Sequence, residues 1–149
     1  MITYVKGDLL KGGDDVIVHG CNCLCKMGAG VALYIARTYP EAYMADKATK
    51  EFDKTKLGTY TQWTGENKFY PNKLVTVVNA YTQFYPNPKT KPFDYNAFAE
   101  IVADLKEEFK NKSIAFPKIG AGLAGGNWKI IEGIINGCFH STEVKVYVL

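Results

Sequence analysis

Six short runs rich in β-branched and apolar residues recur along this chain, with helical stretches between most of them. That alternation constrains the fold more than any other feature. Strands are expected at Ile2–Val5, Asp15–His19, Gly58–Trp63, Leu74–Ala80, Ser113–Phe116 and Val144–Val148. Between them, Gly28–Tyr39 and Pro40–Phe52 read as a helical pair, with Pro40 suited to a first turn. In Asp94–Lys110, Phe98, Ile101, Val102, Leu105 and Phe109 share one helical face. In Asn127–Phe139, Ile130, Ile131, Ile134, Ile135 and Cys138 do the same. Strands that alternate with helices predict a largely parallel sheet covered on both faces. Right-handed crossovers then give an α/β fold, a three-layer α/β/α sandwich.

At 149 residues, 47% of them hydrophobic and 22% charged, the chain fits a single domain spanning 1–149 with a sizeable core. Its net charge of +3 comes from scattered lysines rather than a basic stripe, so the sequence carries no strong nucleic-acid signal. No apolar run reaches membrane-spanning length, and Met1–Lys6 reads as a strand rather than a signal peptide. A cytoplasmic monomer with no membrane partner is therefore expected. Cys21, Cys23 and Cys25 lie too close together to form a disulfide framework, which fits a reducing compartment. Their spacing lacks the two-residue gap of zinc knuckles and has no second half elsewhere. Small-residue loop packing is expected there, with no metal and no cofactor. Tyr85–Pro92 is a proline-dense loop after a strand, where it could border a pocket.

The chemistry concentrates in two strand-to-helix turns. Val16-Ile17-Val18-His19-Gly20-Cys21-Asn22 ends in a small-residue loop that opens through Met27-Gly28-Ala29-Gly30 into a helix. Pro117-Lys118-Ile119-Gly120-Ala121-Gly122-Leu123-Ala124-Gly125-Gly126 does the same before Asn127-Trp128. Backbone N–H groups at a helix start favour an anion, and two such turns at one sheet edge suit a diphosphate. Taken singly, either set of glycines is better explained by tight turns and close packing, and it is the pair at one edge that favours a ligand. Neither turn is a Walker loop or a dinucleotide fingerprint.

His19 stands where the apolar strand meets the first loop. It is either a hydrogen-bonded core histidine or an acid/base group. A cysteine nucleophile in that loop would need His19 as its base. His140 is explained by the negative end of the last helix. Asp8, after Gly7, reads as a turn or cap residue, or as an acceptor for an exocyclic amine. Asn79 reads as strand-end hydrogen bonding, or as a group orienting a ligand hydroxyl or water. Asp94 reads as a helix cap.

Taken together, these segments resemble the macrodomain family over essentially the whole chain. Ile2-Thr3-Tyr4-Val5-Lys6-Gly7-Asp8-Leu9-Leu10 is similar to the family's opening strand and Gly-Asp turn. His19-Gly20-Cys21-Asn22-Cys23, Met27-Gly28-Ala29-Gly30-Val31-Ala32 and Ile119-Gly120-Ala121-Gly122-Leu123 resemble its strand-end asparagine motif and its two ligand loops. The resemblance implies an ADP-ribose derivative as the small-molecule partner. It implies that Asp8 holds the adenine amine, with the Leu9 backbone nearby. Gly120, Ala121, Gly122, Leu123 and Ala124 would cradle the diphosphate. Asn22, Gly28, Ala29, Gly30 and Val31 would surround the distal ribose.

Within the family the chain looks most like the ADP-ribose 1''-phosphate phosphatases, whose active histidine falls at His19, with Asn22 and Asn79 expected to orient the ribose end. The neighbouring branch removes ADP-ribose from proteins or nucleic acid. It looks to use a lysine where this chain has Gln83 and an aspartate where it has Ala124. Glutamine and alanine supply neither an amine nucleophile nor its acidic partner. Lys89 or Lys91 could replace that lysine only from an inward-folded loop. The expectation is therefore a phosphatase, with deribosylation and simple ADP-ribose binding as the rival functions.

Overall fold

A computed structural model of the chain describes residues 1–85, 93–122, 124–139 and 143–149. Its elements are β1 (Ile2–Lys6), β2 (Val16–Asn22), α1 (Gly30–Thr38), α2 (Pro40–Lys47), β3 (Tyr60–Glu66), β4 (Leu74–Gln83), α3 (Tyr95–Glu108), β5 (Ile114–Pro117), α4 (Trp128–Cys138) and β6 (Val144–Val148). Among the described residues these strands form one sheet in the order β1-β6-β5-β2-β4-β3. Neighbours run parallel, apart from the antiparallel β3 at one edge. The expected α/β sandwich with a mixed, largely parallel sheet is therefore what forms.

Strand alternation sorts the core into two layers. Val16 and Val18 point to the α3/α4 side, where they pack with Phe98, Phe116, Ile131 and Ile135. Ile17 points to the α1/α2 side, among Leu10, Ile35, Tyr39 and Val77. His19 shares the phase of Ile17, so its ring lies under the α1/α2 layer. Burying a side chain such as Ile135 or Leu105 contributes about 1.5–3 kcal/mol each, and this holds the helices on the sheet. Asp94 caps α3, accepting from the Ala97 N–H at 3.0 Å, and Asn127 caps α4 through Lys129 N at 2.9 Å.

Three boundaries differ from expectation in ways that shape the site. β2 and β4 run past their apolar cores because they continue to pair with each other through Cys21↔Tyr81 and Asn22↔Gln83. The polar ends are buried there, with Tyr81 bonded to Asp46 and Asn22 to Leu24 and Lys26, while the Thr82 hydroxyl has no partner among the described residues. α2 stops at Lys47 rather than Phe52, and Phe52 adopts φ +58°. The segment after it instead folds back as a 3₁₀ turn at Lys54–Lys56, which sends the Lys56 ammonium under the cysteine loop. The four cysteines are free. Among the described residues no helix is long and apolar enough to cross a membrane.

Candidate functional site

A cleft of about 550 Å³ opens at the carboxyl edge of the sheet, where open α/β sheets place their ligands. The turn after β2 forms one wall and the turn after β5 forms the other. His19 and Gly20 lie between them.

The first wall is held by its own side chains. The Asn22 Oδ1 accepts from Leu24 N at 3.0 Å and Lys26 N at 3.3 Å, while its Nδ2 donates to Lys26 O at 2.7 Å. The amide is thus committed to shaping the loop it borders. Below it, Lys56 is buried and donates to Thr49 Oγ1 at 2.7 Å, Lys50 O at 3.1 Å and Cys23 O at 3.3 Å. Four donor contacts, including Cys25 Sγ at 3.5 Å, compensate the cost of burying that ammonium. Beyond this pinned segment Gly28, Ala29 and Gly30 are exposed and lead into α1. Ala29 gives α1 no side-chain cap. Gly30, Val31 and Ala32 line the cleft, so the positive end of α1 lies on it.

The second wall is a tight glycine turn. Gly126 N donates to Gly120 O at 2.6 Å, and Gly125 N to Gly122 O at 3.0 Å. Gly120 takes φ +75°, and a Cβ there would sit 2.4 Å from the Phe93 ring. Gly28, Gly30 and Gly122 differ, because a Cβ at any of them would meet nothing within 4 Å. They leave backbone exposed to whatever enters.

His19 is 1% exposed yet lines the cleft. Its Nε2 lies 2.7 Å from Asn79 Oδ1, and Cys21 Sγ lies 3.6–3.8 Å from the two ring nitrogens. Burial lowers its pKa to about 4, only partly offset by the Asn79 bond, so the imidazole is neutral at pH 7. Burial likewise pushes the Cys21 thiol well above its usual range, which keeps it protonated. A Cys21–His19 thiolate pair is thus disfavoured although the two side chains meet.

The structure brings His19, Asn22, Gly28, Ala29, Gly30, Val31, Gly120, Gly122 and Ala124 to one cleft. Four expected residues are not in its lining. Asn79 is fully buried beneath it, bonded to His19, Ala42 O and Thr61. Asn79 meets the cleft through its contact with His19. Asp8 caps the turn at Leu9–Lys11 through Leu10 N at 2.9 Å and accepts from the Tyr34 hydroxyl at 2.7 Å. Leu9 is buried next to it, and Ala121 is not among the lining residues. Leu123, Lys89, Lys91 and His140 lie outside the described residues. Gln83 lines the cleft, with its Nε2 donated to Tyr85 O at 2.9 Å.

Two charged lining residues were missed from sequence, Lys26 and Lys118. Both are exposed. Each stands just ahead of a glycine run, and a cation before each anion-type turn was the signal that could have found them. No group of three or more His, Cys, Asp or Glu that could hold a metal occurs among the described residues.

Comparison with known proteins places this geometry. The Macro domain family model matches residues 18–135. An ADP-ribose 1''-phosphate phosphatase of Debaryomyces hansenii is 31% identical over 179 residues, covering 100% of this chain and 99% of that protein. A DNA ADP-ribosyl glycohydrolase of Mycobacterium tuberculosis is 30% identical over 133 residues, covering 89% of this chain but 37% of that longer protein. A solved structure of a protein of unknown function from Bacteroides thetaiotaomicron superposes with a TM-score of 0.81 at 31% identity, covering 100% of this chain and 98% of that one.

Proposed function

The chain belongs to the macrodomain family, and from that premise we propose that it binds ADP-ribose and hydrolyses ADP-ribose 1''-phosphate to ADP-ribose and phosphate. The observation that carries this reading is the pair of glycine turns facing each other across one cleft, each with a lysine at its start and with His19 between them. Amides of the Gly120–Ala124 turn hold the diphosphate, and the start of α1 holds the far end of the ligand. Lys26 and Lys118 add charge for a substrate that carries one phosphate more than ADP-ribose. Asp8 takes the adenine amine, since its carboxylate keeps acceptor positions beyond those used by Leu10 and Tyr34.

Phosphoryl transfer asks for positioning, charge stabilisation and an activated water. His19 serves as the acid/base group. In the empty cleft it is neutral. An entering phosphate dianion raises the pKa of a nearby imidazole, so the ring gains basicity when substrate is present. Gln83 and Ala124 stand where the deribosylating branch looks to carry its lysine and aspartate, and this favours the phosphatase over a lysine-based glycohydrolase.

The test is phosphate release from ADP-ribose 1''-phosphate. His19→Ala is expected to lose about 100-fold or more in turnover, the scale of a lost acid/base group. Calorimetry on the same variant should show ADP-ribose affinity within about twofold of wild type, since 0.4 kcal/mol corresponds to that factor. Full turnover in His19→Ala overturns the mechanism.

A further inference from the structure

The imidazole of His19 is the near end of a buried polar chain whose hydrogen-bond pattern assigns its protons. Asn79 is the key. Its Nδ2 lies 3.0 Å from the Ala42 carbonyl, which can only accept. A flipped amide would set two acceptors against each other, so Nδ2 faces Ala42 and Oδ1 faces His19. Oδ1 can only accept as well. The proton of the 2.7 Å contact therefore belongs to the His19 Nε2, and Nδ1 is bare.

The chain continues in the same sense. Asn79 Nδ2 also donates to Thr61 Oγ1 at 3.1 Å. Tyr81 gives its hydroxyl proton to Asp46 Oδ1 at 2.8 Å, so in the 2.9 Å contact between Thr61 and Tyr81 the threonine is the donor. Every proton thus points away from His19 toward a buried carboxylate. Burial raises the Asp46 pKa, and the Tyr81 bond and the Lys56 ammonium, which lies 4.8 Å over the Tyr81 ring, offset that rise only in part.

Resting on the reading of His19 above, we propose that His19 acts as a proton acceptor through Nδ1, and that Asn79 is the positioning residue that imposes this, anchored by Thr61, Tyr81 and Asp46. In the reaction a water proton passes to Nδ1 as the water oxygen bonds to phosphorus. The bond from phosphorus to the ribose 1'' oxygen breaks. The departing oxygen takes a proton from solvent, and Nδ1 returns its own to solvent. The imidazolium formed in between gives a strengthened Nε2–H bond to Asn79, whose carbonyl is polarised by the donor chain behind it. Cys21, a protonated thiol, offers its weak S–H to the bare Nδ1 while the cleft is empty.

The experiment is a long-range ¹H–¹⁵N spectrum of the ¹⁵N-labelled full chain without ligand, with His140→Gln to identify the only other histidine. The expected pattern is a neutral ring with Nε2 protonated and Nδ1 at the far-downfield position of an unprotonated nitrogen. A ring with the proton on Nδ1 in the wild-type chain overturns the proposal, whatever the turnover. Asn79→Ala is expected to give a mixture of tautomers and about a 10-fold or larger fall in kcat with KM and ADP-ribose affinity little changed. A loss of affinity with the tautomer intact would instead make Asn79 a ligand contact and overturn it.

Thr61→Val leaves Asn79 its bond to Ala42 and Tyr81 its bond to Asp46, so the fold is spared. It is expected to lower kcat a few-fold at constant KM and to shift the Nε2–H signal. Unchanged turnover and an unchanged signal would overturn the anchoring. If the tautomer is as stated but wild type releases no phosphate, the phosphatase reading fails while the placement of the protons stands.

Discussion

The two glycine turns look alike in sequence and are built on different physics. In the turn after β5, packing demands glycine at Gly120 and Gly126, although Gly122 beside them is bare. Gly120 adopts φ +75° with Phe93 pressed against it, and Gly126 closes on the Gly120 carbonyl. In the turn after β2 the packing is done earlier, by Asn22, Cys25 and the buried Lys56, and the glycines that follow touch nothing. One wall of the cleft is shaped by the crowding at Gly120 and Gly126. The other is shaped by a side-chain brace that precedes bare glycines. A glycine-rich motif therefore does not say whether its glycines serve the fold or a ligand, and only the neighbours across space decide.

The comparison can be broken by substitution, and the largest effect is expected at the crowded turn. Gly120→Ala should destabilise the chain by about 2–4 kcal/mol, from overpacking against Phe93 and strain at positive φ. Denaturant unfolding measures this, and a loss under 1 kcal/mol would show that the turn can relax.

Beneath the braced wall, the neutral burial of His19 sets a pH dependence of similar size. Its folded pKa of about 4 lies below the ordinary 6.5. The unfolded chain therefore takes up this proton first as pH falls. The stability attached to His19 is complete above about pH 6.5 and is lost as pH drops through about 4, a difference of about 3 kcal/mol. His19→Gln should remove that slope from unfolding curves recorded between pH 7 and 4, and an identical slope in both proteins would contradict the burial argument.

The smallest effect on stability is expected where the glycines are bare. Gly28→Ala and Gly122→Ala, at ordinary φ and with open space, should change stability by less than about 0.5 kcal/mol. They should still weaken ADP-ribose binding by about 1 kcal/mol or more, because the added methyl occupies the approach to the backbone. Calorimetry showing native affinity would place the ligand away from these two glycines.

Much of this was readable from the sequence, and the failures are instructive. Hydrophobic period and capping residues were enough for the layers, the sheet class and the α3 cap, because those are local or face-sorting properties. They were also enough to bring His19 and both glycine turns to one edge. The roles of Asn79 and Asn22 were not readable. Alternation puts Asn79 on the same face as His19 but does not say that its amide is used up by His19, Ala42 and Thr61. Asn22 likewise spends its amide on the backbone of Leu24 and Lys26. Lys56 gives no local sign that it is buried, since its partners come from Cys23, Thr49 and Lys50. In each case the missing information was a polar partner reached through space rather than a preference of the residue itself.

The most direct test of the account is phosphate release from ADP-ribose 1''-phosphate by the full chain, run beside His19→Ala. The account predicts one phosphate and one ADP-ribose per substrate consumed by wild type, and almost none from a variant that still binds ADP-ribose. No phosphate from a wild-type chain that binds the substrate, or equal release by both proteins, would contradict it.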